Sequence, residues 1–169
     1  MTTSMNLAGD PNPPMSHGGA TRHSVIERAN KAIDDVVDRL IRLHYDVYGA
    51  YRVADDRIHD PDALAHLSSL EAEHAHSLRE LQEYVRAHGR NPPDNGDYRA
   101  LWTRGRVHLG RLRGLRGIVK ALARNEETIH RAYRRSVSQH GIPAELRAML
   151  TTGLEVEREH VAHLGQTLY

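Results

Sequence analysis

A chain of 169 residues with no Cys is long enough to bury one core, and it excludes disulfides, thiolate zinc sites and thiol catalysis. Its 23 basic and 22 acidic residues leave a formal net charge of +1, which argues against strong nonspecific nucleic-acid binding. No apolar run approaches membrane-spanning length and the N-terminus lacks a signal-peptide core, so a cytoplasmic protein with no membrane partner is expected.

Residues 1–23 are rich in Gly, Pro and small polar types without periodicity, and are expected to form a disordered tail before a single domain at 24–169. Ser24 and Glu27 have the spacing of a capping box. From there Ile26, Ala29, Ile33, Val36, Leu40, Leu43, Val47, Ala50 and Ala54 alternate steps of three and four, predicting a helix over 24–59. Asp60 and Pro61 then form a cap and a first helical position, so a second helix starts almost without a loop and runs to about His88. The stretch 89–97, GRNPPDNGD, is a turn-rich connector. A short helix is expected around Trp102, which would anchor the crossing segment. A third helix follows over 118–140, and Pro143 opens a fourth that reaches nearly to the C-terminus. Nothing alternates like a strand. The prediction is an all-α, antiparallel four-helix bundle with a long crossover between helices 2 and 3.

Polar residues interrupt the apolar seams at corresponding places. Helix 2 reads Leu64, Leu67, Glu71, His74, Leu78, Leu81, Val85, and helix 4 reads Leu146, Leu150, Gly153, Glu157, His160, Leu164. Helix 3 reads Leu115, Val119, Leu122, Glu126, Ile129, Tyr133. Counting back from the turns places Glu71 opposite residue 47, beside Asp46, and Glu157 opposite Glu126. Buried carboxylates and imidazoles are costly unless paired or metal-bound. A carboxylate from each of two helices plus Glu-x-x-His from the other two is the donor set of dinuclear carboxylate bundles. The candidate ligands are therefore Asp46, Glu71, His74, Glu126, Glu157 and His160, and mixed O/N ligation suits iron or manganese better than structural zinc. The alternative is a metal-free network of Glu–His hydrogen bonds in a binding or assembly scaffold.

In these positions the sequence resembles the ferritin-like superfamily of ferritins, bacterioferritins and rubrerythrins. The resemblance implies a dinuclear iron (or manganese) centre, ferroxidase-like handling of oxygen or peroxide, and a homo-oligomer. It makes Glu71 and Glu157 the bridging or chelating glutamates and His74 and His160 the histidine ligands. Glu126 becomes the lone carboxylate of helix 3, and Asp46 stands where that superfamily has a glutamate. The runs HYDVYGAYRVADD (44–56) and EETIHRAY (126–133), with His160, are also similar to a ferritin-like family described only as a domain of unknown function.

Other polar residues have humbler readings beside these. Glu127 and His130 form a third Glu-x-x-His beside the seam, suited to surface pairing or to supporting a ligand. His44 is expected to be packed and hydrogen-bonded. Tyr45, Tyr48, Tyr51 and Tyr133 are core or boundary aromatics, of which Tyr48 and Tyr133 are candidates to hydrogen-bond a ligand. The acid-free basic stretch 104–124 offers Arg113, Arg116, Lys120 and Arg124 as an anion-binding row, with nucleic acid ranked behind a solvated face or subunit contact.

Overall fold

The computed structural model describes residues 18–96 and 114–167, with side chains at 22–96 and 114–165. Four helices account for the secondary structure among them: α1 (Gly18–Asp55), α2 (Pro61–Ala87), α3 (Leu115–Val137) and α4 (Ala144–Thr167). The bundle is all-α, as the periodicity predicts, and no helix among the described residues is long and apolar enough to cross a membrane. Residues 1–17, Trp102 and Arg113 lie outside the described residues.

At 38 residues α1 is about 57 Å long at 1.5 Å per residue. It begins ahead of the expected start at Ser24. Ser24 therefore lies within the helix rather than at its cap, and it accepts from the Arg28 guanidinium through both its hydroxyl and its carbonyl. His23 instead pairs with Glu27 at 2.9 Å, an i,i+4 contact that carries the helix through the intended boundary. The start of α2 follows expectation. Asp60 accepts from the Ala63 amide at 2.8 Å, and Pro61 occupies the first position, where a missing N–H costs nothing. After α2 the chain turns at Gly89 with φ 74°, and Arg90 then ties the connector to α1 through Asp34 (3.0 Å) and Asp38 (2.7 Å). At the α3–α4 turn, Arg147 donates to the carbonyls of Val137 and Gln139 and so satisfies the end of α3.

The short turns make α1–α2 and α3–α4 antiparallel hairpins, and α1 packs on α3. Side-chain pairs set the register between hairpins. Tyr51 meets Glu126 and His44 meets Tyr133, while His74 meets His160 and His66 meets His163. Both sets run antiparallel.

The interior has three zones along the bundle axis. One end is filled by Val37, Leu40, Ile41, Leu81, Val85, Leu146 and Leu150, and the other by Ala54, Ile58, Leu67, Val119, Leu122 and Leu164. Between them lies a polar layer containing His44, His74, Glu126, Glu157 and His160, each at most 1 % exposed.

Gly153 allows one large side chain into that layer. A Cβ there would stand 2.5 Å from Tyr133 Cε1, so the Tyr133 ring lies directly on the α4 backbone. The ring is buried and its hydroxyl is bonded to His44, so it has no free direction in which to yield. Gly153→Ala is therefore expected to lower the melting temperature, although Ala favours a helix by about 1 kcal/mol over Gly. Thermal unfolding followed by circular dichroism checks this, and an unchanged or raised midpoint would contradict the packing.

Candidate metal centre

The polar layer draws residues from all four helices. From α2, His74 places Nε2 3.0 Å from Glu126 Oε1 and Nδ1 3.6 Å from Glu157 Oε1. From α4, His160 places Nδ1 3.4 Å from Glu126 Oε2 and 3.9 Å from Glu157 Oε2. The two imidazoles meet edge to face with centroids 4.8 Å apart. One donor atom from each of His74, Glu126, Glu157 and His160 lies within 4.8 Å of the others, forming a compact group of two oxygens and two nitrogens.

A second ring of residues holds these four. Tyr51 donates to Glu126 Oε1 at 2.8 Å, which orients the carboxylate. His44 binds the Tyr133 hydroxyl through Nε2 at 2.8 Å, and its Nδ1 lies 3.2 Å from Nδ1 of His74, so one ring donates to the other. His160 Nε2 lies 2.8 Å from Glu73 Oε2 at the edge of α2. In the neutral ring, Nε2 as the donor to that carboxylate carries the proton, and the Nδ1 lone pair then faces inward.

Burial sets the electrostatics, and neighbours decide its outcome. Burial pushes the Glu126 carboxyl up, but His74 and His160 beside it outweigh this and hold it below the usual carboxylate range. Glu157 has no such help: burial and then the Glu126 carboxylate push it well up. Burial tends to lower His160, yet the Glu126 and Glu73 carboxylates beside it bring it above the ordinary histidine value. Burial, reinforced by His74, pulls His44 well down and keeps it neutral. Burial likewise raises Tyr51 and Tyr133, which stay phenols. The layer thus has one firm carboxylate, Glu126, and one carboxyl, Glu157, that resists ionisation.

Three buried atoms in this layer have no hydrogen-bond partner: Glu126 Oε2, Glu157 Oε2 and His160 Nδ1. All three belong to the same cluster, where His160 Nδ1 is the near neighbour of both oxygens. A buried polar atom left without a partner costs about 1–3 kcal/mol. Three of them facing one another fit a site for a cation, and two carboxylate oxygens with two imidazole nitrogens are a donor set for a divalent metal.

A family described as "Domain of unknown function (DUF2383)" matches residues 32–139. The chain belongs to the DUF2383 family. No curated protein matches it. Among solved structures, this DUF2383 chain is similar to one described as "ferritin like, diiron-carboxylate proteins" from Bacillus anthracis str. Ames. The TM-score is 0.68 at 14% identity, covering 92% of this chain and 100% of that one. It is also similar to a conserved hypothetical protein from Mycobacterium tuberculosis, with a TM-score of 0.67 at 16% identity, covering 83% of this chain and 92% of the other. At such identities the likeness establishes the ferritin-like fold.

Four of the six residues expected as ligands in this DUF2383 bundle converge, and two do not. Asp46 is 3 % exposed, but it is two residues from His44 and therefore on the opposite side of α1. It is covered by the connector at Gly96, where a Cβ would come within 2.4 Å of Asp46 Oδ1. Glu71 sits at the α1–α2 flank because α2 buries the row Leu67, Leu70, His74, Ser77, Leu81 and Val85, which turns Glu71 aside. Its carboxyl meets Asp55, Tyr48 and Arg52. Tyr48 thus supports Glu71, whereas Tyr133 bonds His44 within the layer. Glu127 pairs loosely with Arg131 on the surface, and His130 is half-buried beside the seam. Arg116, Lys120 and Arg124 form an exposed row on α3. His44, Tyr51 and Glu73 are the members of the layer that sequence periodicity did not single out.

Burial and the Asp55 carboxylate raise Glu71 above its ordinary value. A carboxyl raised in the fold keeps its stability contribution below the unfolded value and loses it as pH rises through the folded one. Glu71→Gln should therefore match the parent near pH 4 and melt higher than the parent at pH 7. Paired melts across that window check this, and a gap of the opposite sign would contradict it.

Proposed function

We propose that this chain binds a redox-capable divalent metal, iron first and manganese second, through His74, Glu126, Glu157 and His160, and uses it on iron, dioxygen or peroxide. The observation that carries the reading is the set of three unpartnered buried atoms, Glu126 Oε2, Glu157 Oε2 and His160 Nδ1, facing one another. A structural neighbour described as a diiron-carboxylate protein adds support. When bound, such a metal supplies Lewis acidity and electron transfer at open coordination positions.

The chain's own residues prepare the site. Tyr51 occupies Glu126 Oε1 and leaves Oε2 available. Glu73 fixes the His160 ring so that Nδ1 points inward. Leucines at both ends of the layer keep bulk water out, which strengthens charge interactions inside. Homo-oligomer formation in the cytoplasm belongs to the same proposal. The exposed Val25 and Ile26 on α1 supply apolar surface for it, and sedimentation velocity checks it.

The test is anaerobic loading of purified protein with Fe(II), removal of free metal, and elemental analysis. Stoichiometric iron that is lost in Glu126→Ala and Glu157→Ala supports the proposal. A content near zero, or one unchanged in both variants, overturns it.

A second reading, a metal-free scaffold acting through binding, is favoured by one observation. His44, His74, Tyr51 and Tyr133 already satisfy one another and Glu126 Oε1. It predicts that replacing Glu126, Glu157, His74 and His160 together by Leu or Met keeps or raises stability, and that metals leave the melting temperature unmoved.

A further inference from the structure

The polar layer contains a hidden repeat. His44 is followed seven residues later by Tyr51, and Glu126 is followed seven residues later by Tyr133. On the antiparallel pair α1 and α3 these four residues cross-pair: Tyr51 with Glu126 at 2.8 Å and Tyr133 with His44 at 2.8 Å. His44 therefore holds on α1 the place that Glu126 holds on α3. The other two helices repeat as well, with Glu71-x-x-His74 on α2 and Glu157-x-x-His160 on α4, and their histidines face each other across the axis. An approximate two-fold axis thus relates the α1–α2 hairpin to the α3–α4 hairpin.

The two halves differ in chemistry. In the α3–α4 half, Glu126, Glu157 and His160 all turn inward and each carries an unpartnered buried atom. In the α1–α2 half, a histidine stands in place of the carboxylate, and Glu71 turns away to Asp55 and Tyr48. Both ring nitrogens of His44 are engaged, one by Tyr133 and one by His74, and those of His74 by His44 and Glu126, so the unpartnered inward atoms all lie in the α3–α4 half. Two divalent ions bring four positive charges, and dinuclear bundles meet them with four carboxylates. In this layer two carboxylates, Glu126 and Glu157, belong to the buried donor group and balance one divalent ion, while Glu73 is half-exposed and bonded to the far nitrogen of His160. A second would leave two charges uncompensated in a dry interior, at a large desolvation cost.

We propose that this bundle is a half-converted two-fold site that takes one metal ion, in the α3–α4 half, and that His44, locked between Tyr133 and His74, fills the place of the second. This inference rests on the metal-binding reading above and adds to it the stoichiometry and the residue that sets it.

The test is an anaerobic titration of the full-length protein with Mn(II), followed by calorimetry and electron paramagnetic resonance, on the parent and on His44→Glu. The parent is expected to saturate at one ion per chain with the six-line signal of an isolated Mn(II). His44→Glu is expected to take a second ion and to show an exchange-coupled spectrum. Two ions in the parent overturn the inference while leaving metal binding intact. A folded His44→Glu that still takes one ion overturns the role given to His44. No ion in the parent removes the metal-binding reading itself, and this inference with it. If His44→Glu does not fold, the parent's stoichiometry and spectrum still decide between one ion and two.

Discussion

Glu126→Ala is expected to destabilise the metal-free protein by about 3–5 kcal/mol, the usual cost of removing one partner from a buried charged network. For a chain of this size that corresponds to a fall in melting temperature of about 10 °C. The size of the effect follows from what the carboxylate holds. Its Oε1 accepts from Tyr51 and lies against His74, and its Oε2 faces His160. Truncation leaves a phenol and an imidazole, Tyr51 and His74, without their partner in a buried layer and removes the carboxylate that faces His160, and each loss carries its own cost. The Glu126 carboxyl is held below the ordinary carboxylate range by those same histidines, so its contribution is present above the unfolded value and lost as pH falls. The deficit of Glu126→Ala should therefore be largest near neutrality and shrink in acid. Chemical denaturation at pH 7 and pH 4 measures both quantities. A deficit under 1 kcal/mol at pH 7 would mean that the layer does not depend on this carboxylate.

Glu157→Gln is expected to move stability the other way. Glu157 sits beside Glu126, burial and that neighbour push it well up, and its Oε2 has no hydrogen-bond partner. A carboxyl raised in the fold loses its contribution to stability as pH rises above the unfolded value, so at neutrality the side chain is a burden on the metal-free protein. The neutral amide has nearly the same shape without that burden. The metal-free variant should melt above the parent at pH 7, with the advantage vanishing toward pH 4, where the unfolded carboxyl is also protonated. Added Fe(II) or Mn(II) should then raise the melting temperature of the parent by mass action and leave Glu157→Gln unmoved. Thermal unfolding with and without metal reads both effects. A variant less stable than the parent without metal, yet still shifted by metal, would reverse the assignment. Two glutamates of one layer would thus carry opposite signs in the metal-free protein, Glu126 as its keystone and Glu157 as its burden.

These contrasts also explain what periodicity conveyed and what it missed. On α4 one row of positions stands out, and Leu146, Leu150, Glu157, His160 and Leu164 are buried as expected. On α3 the expected row is buried from Val119 to Tyr133, while Leu115 at the helix start is 38 % exposed. On α1 and α2 two adjacent rows compete, and apolarity favours the wrong members. Leu40, Val47 and Ala54 are buried as expected on α1, but between them the chain buries Val37, His44 and Tyr51 in place of Val36, Leu43 and Ala50. On α2 it likewise buries Leu70 and Ser77 in place of Glu71 and Leu78, where Ser77 is 8 % exposed and Leu78 lies only partly buried. A histidine or a tyrosine is a poor core residue when judged alone. It becomes a good one when its polar atom meets a partner from another helix, and that partner is invisible within one helix's pattern. Depth, unlike facing, was legible. The short turn near residue 59 sets one level for both helices, and His44 meets His74 at the level that counting assigned to the neighbouring pair. The spacing of seven between His44 and Tyr51, repeated by Glu126 and Tyr133, was the signal available for the missing members.

The hydrogen bond from His160 to Glu73 has a consequence for how the interior communicates with its surroundings. His160 is 1 % exposed while the Glu73 side chain is 48 % exposed, so within 2.8 Å the chain passes from a dry layer to solvent. Above and below, the layer is sealed by aliphatic side chains that conduct neither protons nor ions. Between α2 and α4 the layer instead meets solvent at a carboxylate. Glu73, just off the buried row of α2, is thus the point at which the hydrogen-bonded layer reaches the surface, and its replacement by Gln would alter the layer's electrostatics from outside.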